Sequence, residues 1–297
     1  MTENIDLAAW TNDTIKAFLK NSPENTLGTP SGEKAWNDFI VGFSRGDDNL
    51  YRDYKRYVGP FHWTPMEIFA LSFPDIPAVP ADLTVISWIL PQSETTKADN
   101  RAEKKYPSER WVRNRMFGEN CNRSLRAHLQ SELTMLGFPA IAPTLSPDWE
   151  RKDSDTYTYA STWSERHAAY ASGLGTFGLS DGLITPKGKA VRVGSLVVKA
   201  EIPPTPRPYS SHTAYCLFHT NGTCGKCIDR CPSGAISEDG HEKVSCRTYV
   251  RGKAAEHSRE IYNFDGYGCG LCQTGVPCES RIPVPEDVLT GRGENEN

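Results

Sequence analysis

The chain has 297 residues, a formal net charge of −4 and a pI near 6.0. That balance lacks the basic footprint of a dedicated nucleic-acid binder and argues against nucleic acid as a partner. No apolar run approaches the roughly 18 residues of a membrane span, and Met1-Thr2-Glu3-Asn4-Ile5-Asp6 has no basic region leading into an apolar one, so a cytoplasmic protein without membrane contact is expected.

Residues 1–75 read as a helical and irregular segment. Ile5, Leu7, Ala8, Ile15, Phe18 and Leu19 follow helical spacing, and so do Trp36, Phe39, Ile40 and Phe43. A loop follows at 59–65, and Pro65 is expected to open a short helix at Met66. Residues 83–90 form an apolar run stopped by Pro91, which predicts a buried strand. A long helix is expected over 109–136, ending at Gly137, and a polar segment over 146–158. Thr162-Trp163-Ser164-Glu165 has capping-box spacing and predicts the start of another helix, and 191–198 predicts a second strand. The proline-rich run at 203–208 reads as a stiff linker. The division expected is therefore 1–75, a core over 76–208, a cysteine-rich domain over 209–288, and a disordered acidic tail over 289–297.

Eight of the nine cysteines follow the linker. They are Cys216, Cys224, Cys227, Cys231 (before Pro232), Cys246, Cys269, Cys272 and Cys278. A reducing compartment favours metal over disulfides for such a group. A C-x2-C turn offers two thiolates to one cubane, and a C-x3-C-P element sends its last cysteine to the neighbouring cluster. This logic predicts a ferredoxin-like domain with two 4Fe–4S clusters. Cys216, Cys224, Cys227 and Cys278 would hold one, and Cys231, Cys246, Cys269 and Cys272 the other. Asn221 occupies the usual place of the first cysteine, and Cys216 replaces it. A zinc site on Cys224, Cys227, Cys269 and Cys272 is the competing arrangement, and it would leave four cysteines unused. Cys121, alone in the long predicted helix, reads as a small buried hydrophobe.

The segment 164–178, with Glu165-Arg166 and Gly173-Leu174-Gly175-Thr176-Phe177-Gly178, followed by Gly182-Leu183-Ile184-Thr185, resembles epoxyqueuosine reductases and reductive dehalogenases. In those families a similar segment precedes a two-cluster ferredoxin module. The resemblance covers roughly residues 80–285 and implies an α+β fold. Its core would be nitroreductase-like and hold cobalamin with no side chain on cobalt. It also implies that Arg166, His167, Gly173, Gly175, Gly178 and Thr185 approach the cofactor. Six positions before Glu165 stands Tyr159, where epoxyqueuosine reductases place an acidic residue. Reductive dehalogenases use a tyrosine as proton donor in a comparable role, which makes Tyr159 the catalytic candidate, with Tyr157 as its rival and Arg166 or Arg192 as the cation beside it.

Gly173, Gly175 and Gly178 also spell G-x-G-x-x-G, but the dinucleotide fingerprint follows a strand and opens a helix, whereas here a helix comes first. Gly173 reads as the residue that ends that helix. The bland alternative for Arg166 is an ion pair with Glu165. For His167 it is helix packing, and for His62 loop packing. Lys187 and Lys189 read as solvated cations on a turn. Three functions stay open. The first is a reductase taking electrons from a reduced ferredoxin or flavodoxin through the clusters to cobalamin and a small substrate. The second is an electron carrier or activator of another corrinoid protein, and the third is a redox-sensing regulator. About 200 residues before the cysteines exceed what a carrier of two clusters needs.

Overall fold

The computed structural model describes residues 5–285 and Leu289. Helix α1 (Leu7–Asn21) starts on Asp6, whose carboxylate accepts from the Ala8 and Ala9 amides at 3.0 Å. It buries Leu7, Thr11, Ile15 and Leu19, one i,i+4 stripe. The next apolar run, expected as a helix, is instead strand β1 (Ile40–Arg45). Gly42 weakens a helix there, and pairing along the neighbouring strand outweighs the apolar spacing. Helix α2 (Asn49–Tyr57) follows, then α3 (Pro65–Ser72), which Thr64 and Glu67 close with a capping box ahead of Pro65.

Strand β2 (Leu83–Pro91) is buried at all nine positions. After α4 (Glu94–Ala102), the long predicted helix resolves into α5 (Glu109–Arg113), a π-helical turn over Asn114–Gly118, and α6 (Glu119–Met135). Groups from outside the helix meet this bulge. The Trp36 indole donates to the Gly118 carbonyl at 2.9 Å, and the Asn114 amide donates to the Ala35 carbonyl at 3.1 Å. Then come β3 (Ala140–Ile141), a hairpin of β4 (Arg151–Ser154) and β5 (Thr158–Ser161) inside the expected polar segment, and α7 (Glu165–Ala171). The cap of α7 is Ser164, not Thr162: its hydroxyl accepts from His167, while Thr162 accepts from Glu150. Strands β6 (Thr176–Phe177) and β7 (Leu183–Ile184) form a short hairpin before β8 (Val191–Lys199).

The central sheet runs β1-β2-β8-β3, antiparallel throughout. The break expected at residue 75 therefore falls between two strands of one sheet. Both faces are covered, which is why β2 and β8 read as continuous apolar runs rather than alternating ones. Ile86, Trp88, Leu90, Leu196 and Val198 pack with α1 and α6. On the other face Leu83, Val85 and Val197 pack with Tyr51, Ile68, Phe69, Trp163 and Ala168. Cys121 lies in the first of these cores, and burial pushes its thiol up to about 12, so it remains a thiol. Trp88 faces Gly194 across the ladder, and a Cβ at Gly194 would meet the indole at 2.4 Å.

The 203–208 run is docked rather than free. Thr205 donates its amide to the Phe43 carbonyl, and its hydroxyl accepts from the Phe43 amide, each at 2.9 Å, so the run covers the open edge of β1. The cysteine-rich part contains α8 (Leu217–Asn221), α9 (Lys226–Asp229), a small hairpin of β9 (Ile236–Ser237) and β10 (Gly240–His241), α10 (Lys243–Arg251) and α11 (Lys253–Tyr262). Its main seat is the α4–α5 region. Arg230 donates to the carbonyls of Asn100 and Glu103, Lys97 to the Ser280 hydroxyl at 2.7 Å, and Arg101 pairs with Glu279. The expected disordered tail lies outside the described residues except for Leu289.

Candidate redox and substrate site

The fold gathers the eight late cysteines into two sets. Cys216, Cys224, Cys227 and Cys278 line one small pocket, with Leu179 and Lys189 in its wall. In the other set, Cys269 faces Cys272, Cys246 and Cys231, and Cys246 faces Cys272 and Cys231. Cys227 also faces Cys272, so the two groups of thiols adjoin. Among the described residues, no three His, Cys, Asp or Glu side chains come close enough together to hold a single metal ion. Burial pushes Cys227 and Cys246 up to about 11 and Cys269 up to about 12. Thiols so placed ionise when a cation arrives to compensate the charge, as an iron centre does. Eight soft thiol donors match two cubanes in number and in softness.

Beside the thiols the core opens into two adjoining clefts of about 570 and 1150 Å³. Trp149, Ser161, Ser164 and Arg166 line both. The larger is walled by Tyr54, Tyr157, Tyr159, His167 and Phe177, and by Lys243 of α10. It is therefore shared between the core and the cysteine-rich part.

Tyr159, on β5, donates its hydroxyl to the Lys243 carbonyl at 3.1 Å. Burial raises its phenol above the usual value, while the Arg247 guanidinium, 5.6 Å from the ring centre, pulls it back. The cations beside it are thus Arg247 and Lys243, not Arg166 or Arg192. Tyr157 faces the same cleft, with the Lys243 ammonium 4.4 Å from its ring centre. Arg166 donates to the Asp181 carbonyl and does not pair with Glu165. Glu165 instead receives Arg126 at 2.9 Å, Thr144 at 3.1 Å and the Ser195 hydroxyl.

His167 joins the cleft wall and also packs. Its Nδ1 meets the Ser164 hydroxyl at 2.8 Å, and its ring lies against Tyr54 and Phe177. Burial keeps it neutral, well below the ordinary histidine range. His62 is a packed residue, stacked near Trp163, 1% exposed and outside both cleft linings.

Gly173, Gly175 and Thr185 each have a structural neighbour of their own. Gly173 has φ +76° and ends α7, with the Pro206 carbonyl 2.5 Å from where a Cβ would stand. Gly175 lets the chain pass the Ile184 carbonyl, 2.3 Å from its missing Cβ. Thr185 is buried and donates its hydroxyl to the Gly188 carbonyl at 2.8 Å, closing a turn. Gly178 borders both the thiol pocket and the larger cleft. Lys187 is the solvated cation expected, paired with Asp38, whereas Lys189 is buried at 3% exposure. Sequence reasoning missed Lys243, Arg247 and the Glu165–Arg126 pair. Only the alternation of the 157–161 stretch, which turns two tyrosines one way, hinted at the hairpin that presents them.

The fold is that of a mixed α/β chain with a docked, cysteine-rich part. No protein-family model matches the chain. Its sequence relatives are more specific: an epoxyqueuosine reductase of Bacillus anthracis is 30% identical over 119 residues, covering 38% of this chain and 29% of that protein. Over that stretch the chain is similar to epoxyqueuosine reductases. Its matched stretch spans less than a third of that relative's length. Two solved structures show loose overall likeness. A reductive dehalogenase, described with a mechanism for B12-dependent dehalogenation, has 13% identity and TM-score 0.48 over 85% of this chain and 34% of its own. An epoxyqueuosine reductase with a modified tRNA stem loop has 17% identity and TM-score 0.44 over 96% and 69%.

Proposed function

We propose that the chain is a reductase. Its two cysteine sets each hold a 4Fe–4S cluster, its cleft takes cobalamin, and electrons arrive from a reduced ferredoxin or flavodoxin. The nitroreductase-like core and ferredoxin-like module of the sequence resemblance belong to the same reading. The observation that carries it is the juxtaposition of two four-thiol sets with a cleft of about 1150 Å³, a feature that a pure electron carrier does not need. When bound, the clusters supply single electrons and the corrin supplies a strongly reducing cobalt centre.

The chain's own residues do the rest. Ser161, Ser164 and Arg166 offer polar contacts where the two clefts meet. Tyr159 carries a proton on its phenol oxygen at neutral pH and gives it to the substrate. Arg247 and Lys243 stabilise the phenolate left behind. His167, tied to Ser164 and enclosed by aromatic rings, would line the wall without serving as a ligand. The substrate is a small reducible molecule. A modified nucleoside presented by RNA is the variant raised by the relatives' name.

The test is anaerobic reconstitution of the full chain with iron, sulfide and cobalamin, followed by desalting. Corrin should travel with the protein and give a base-off cob(II)alamin EPR signal without nitrogen splitting. Corrin that washes away from iron-loaded protein would hand the function to the electron-carrier reading. A nitrogen-split signal abolished by His167→Ala or His212→Ala would show a missed ligand.

A further inference from the structure

Lys189 sits between the turn at Thr185 and β8, in a slot made for it. Its Nζ donates to the buried Ser180 hydroxyl at 3.0 Å, and its backbone N–H donates to the Cys278 carbonyl at 2.7 Å. Gly182 leaves room for its stem: a Cβ there would meet Lys189 Cδ at 2.7 Å. The side chain lines the four-thiol pocket on one side and the smaller cleft on the other. The ionisable groups it faces are thiols from both sets: Cys278, Cys227 and Cys216 of one, and Cys272 of the other. A buried ammonium needs an anion nearby, and metal-bound thiolates would take the place that a carboxylate usually fills.

We propose that Lys189 is the shared counter-cation of the two cysteine sets and holds the clusters bound there at a higher reduction potential. The inference rests on the cluster reading above. On one-electron reduction by the donor protein, each cluster gains one negative charge while Lys189 keeps its proton. A fixed positive charge nearby favours the more negative, reduced state, and it does so strongly where water is excluded. Lys189 is thus a positioning charge, acting on the clusters without touching substrate.

The experiment is a potentiometric titration followed by EPR on the reconstituted full chain, as wild type, Lys189→Gln and Lys189→Arg. At the wild-type midpoint, the reduced-to-oxidised ratio of at least one cluster in Lys189→Gln should fall about tenfold, a shift of about 59 mV for a one-electron couple. Lys189→Arg should stay near wild type. Unchanged midpoints in a fully loaded Lys189→Gln chain would overturn the inference, and so would an arginine chain shifted as far as the glutamine chain. Should Lys189→Gln fail to retain iron, loading itself becomes the readout: restored loading in Lys189→Arg supports the charge role, and lost loading overturns it. A wild-type chain without iron and sulfide would refute the underlying cluster reading instead, before any variant is compared.

Discussion

Removing the Glu165 carboxylate tests whether the Glu-Arg pair of the resemblance segment is chemical or architectural. Glu165 begins α7 and gathers three donors: Arg126 from α6 at 2.9 Å, Thr144 at 3.1 Å and Ser195 from β8. Arg126 is only 5% exposed and also meets Glu119 at 3.1 Å and the Val193 carbonyl at 3.0 Å. Breaking a buried pair by removing one partner costs about 3–5 kcal/mol. Glu165 itself is 16% exposed, facing the cleft, and Glu119 still compensates Arg126. The cost of Glu165→Ala should therefore lie near the lower bound, about 2–3 kcal/mol. Glu165→Gln keeps an acceptor for Thr144 and Ser195 and should cost about 1 kcal/mol. With a urea slope of about 2 kcal/mol/M, the alanine variant's unfolding midpoint should drop by about 1–1.5 M, roughly two to three times the drop for glutamine. Iron content should not change in either variant. An alanine variant as stable as wild type would refute the keystone role.

His62 is fully buried and neutral, and burial lowers it to about 4. The unfolded chain takes up its proton near 6.5 and the folded chain only near 4, so stability should fall as pH drops from 6.5 to 4, by roughly 3 kcal/mol at most. Urea melts at pH 7, 5.5 and 4 check this, and His62→Phe should flatten the slope. Asp181 shows the carboxylate counterpart. Burial raises its pKa, but the His241 hydrogen bond and the Arg166 and Lys243 charges outweigh it and lower the net value. Its stabilisation is therefore present above the ordinary aspartate value and lost as pH falls through the lowered one, and Asp181→Asn should lose that acid sensitivity in the same melts. Tyr159→Phe should leave stability within about 1 kcal/mol, since it removes one hydroxyl bond to a carbonyl, yet slow turnover of any accepted substrate by about 10²–10⁴-fold. Unchanged turnover there, with loss in Tyr157→Phe, moves the proton to the neighbour.

The parts of the fold legible in sequence were those fixed by local chemistry. The Thr64–Glu67 cap, the buried run of β2 and the strand at 191–199 follow from cap residues and apolar continuity. β1 was not legible, because its pairing with β2 is non-local and its spacing mimics a helix face. A gathering of thiols could be read from the count of eight cysteines after the linker, four of which line one pocket. The roles of Gly173 and Gly175 could not, because a glycine admits close approach without saying to what. Here the neighbours are Pro206 and Ile184. Lys189 read as solvated because it follows a turn signal, and only the docking of the Cys278 segment on its backbone encloses it.

The most direct test of the central claim is iron and acid-labile sulfide measured on anaerobically reconstituted full-length protein. Two cubanes require about eight of each per chain. Cys121→Ser should leave both unchanged, and Cys227→Ser should lose most of one cluster's share. Stoichiometric zinc with no sulfide would contradict the account.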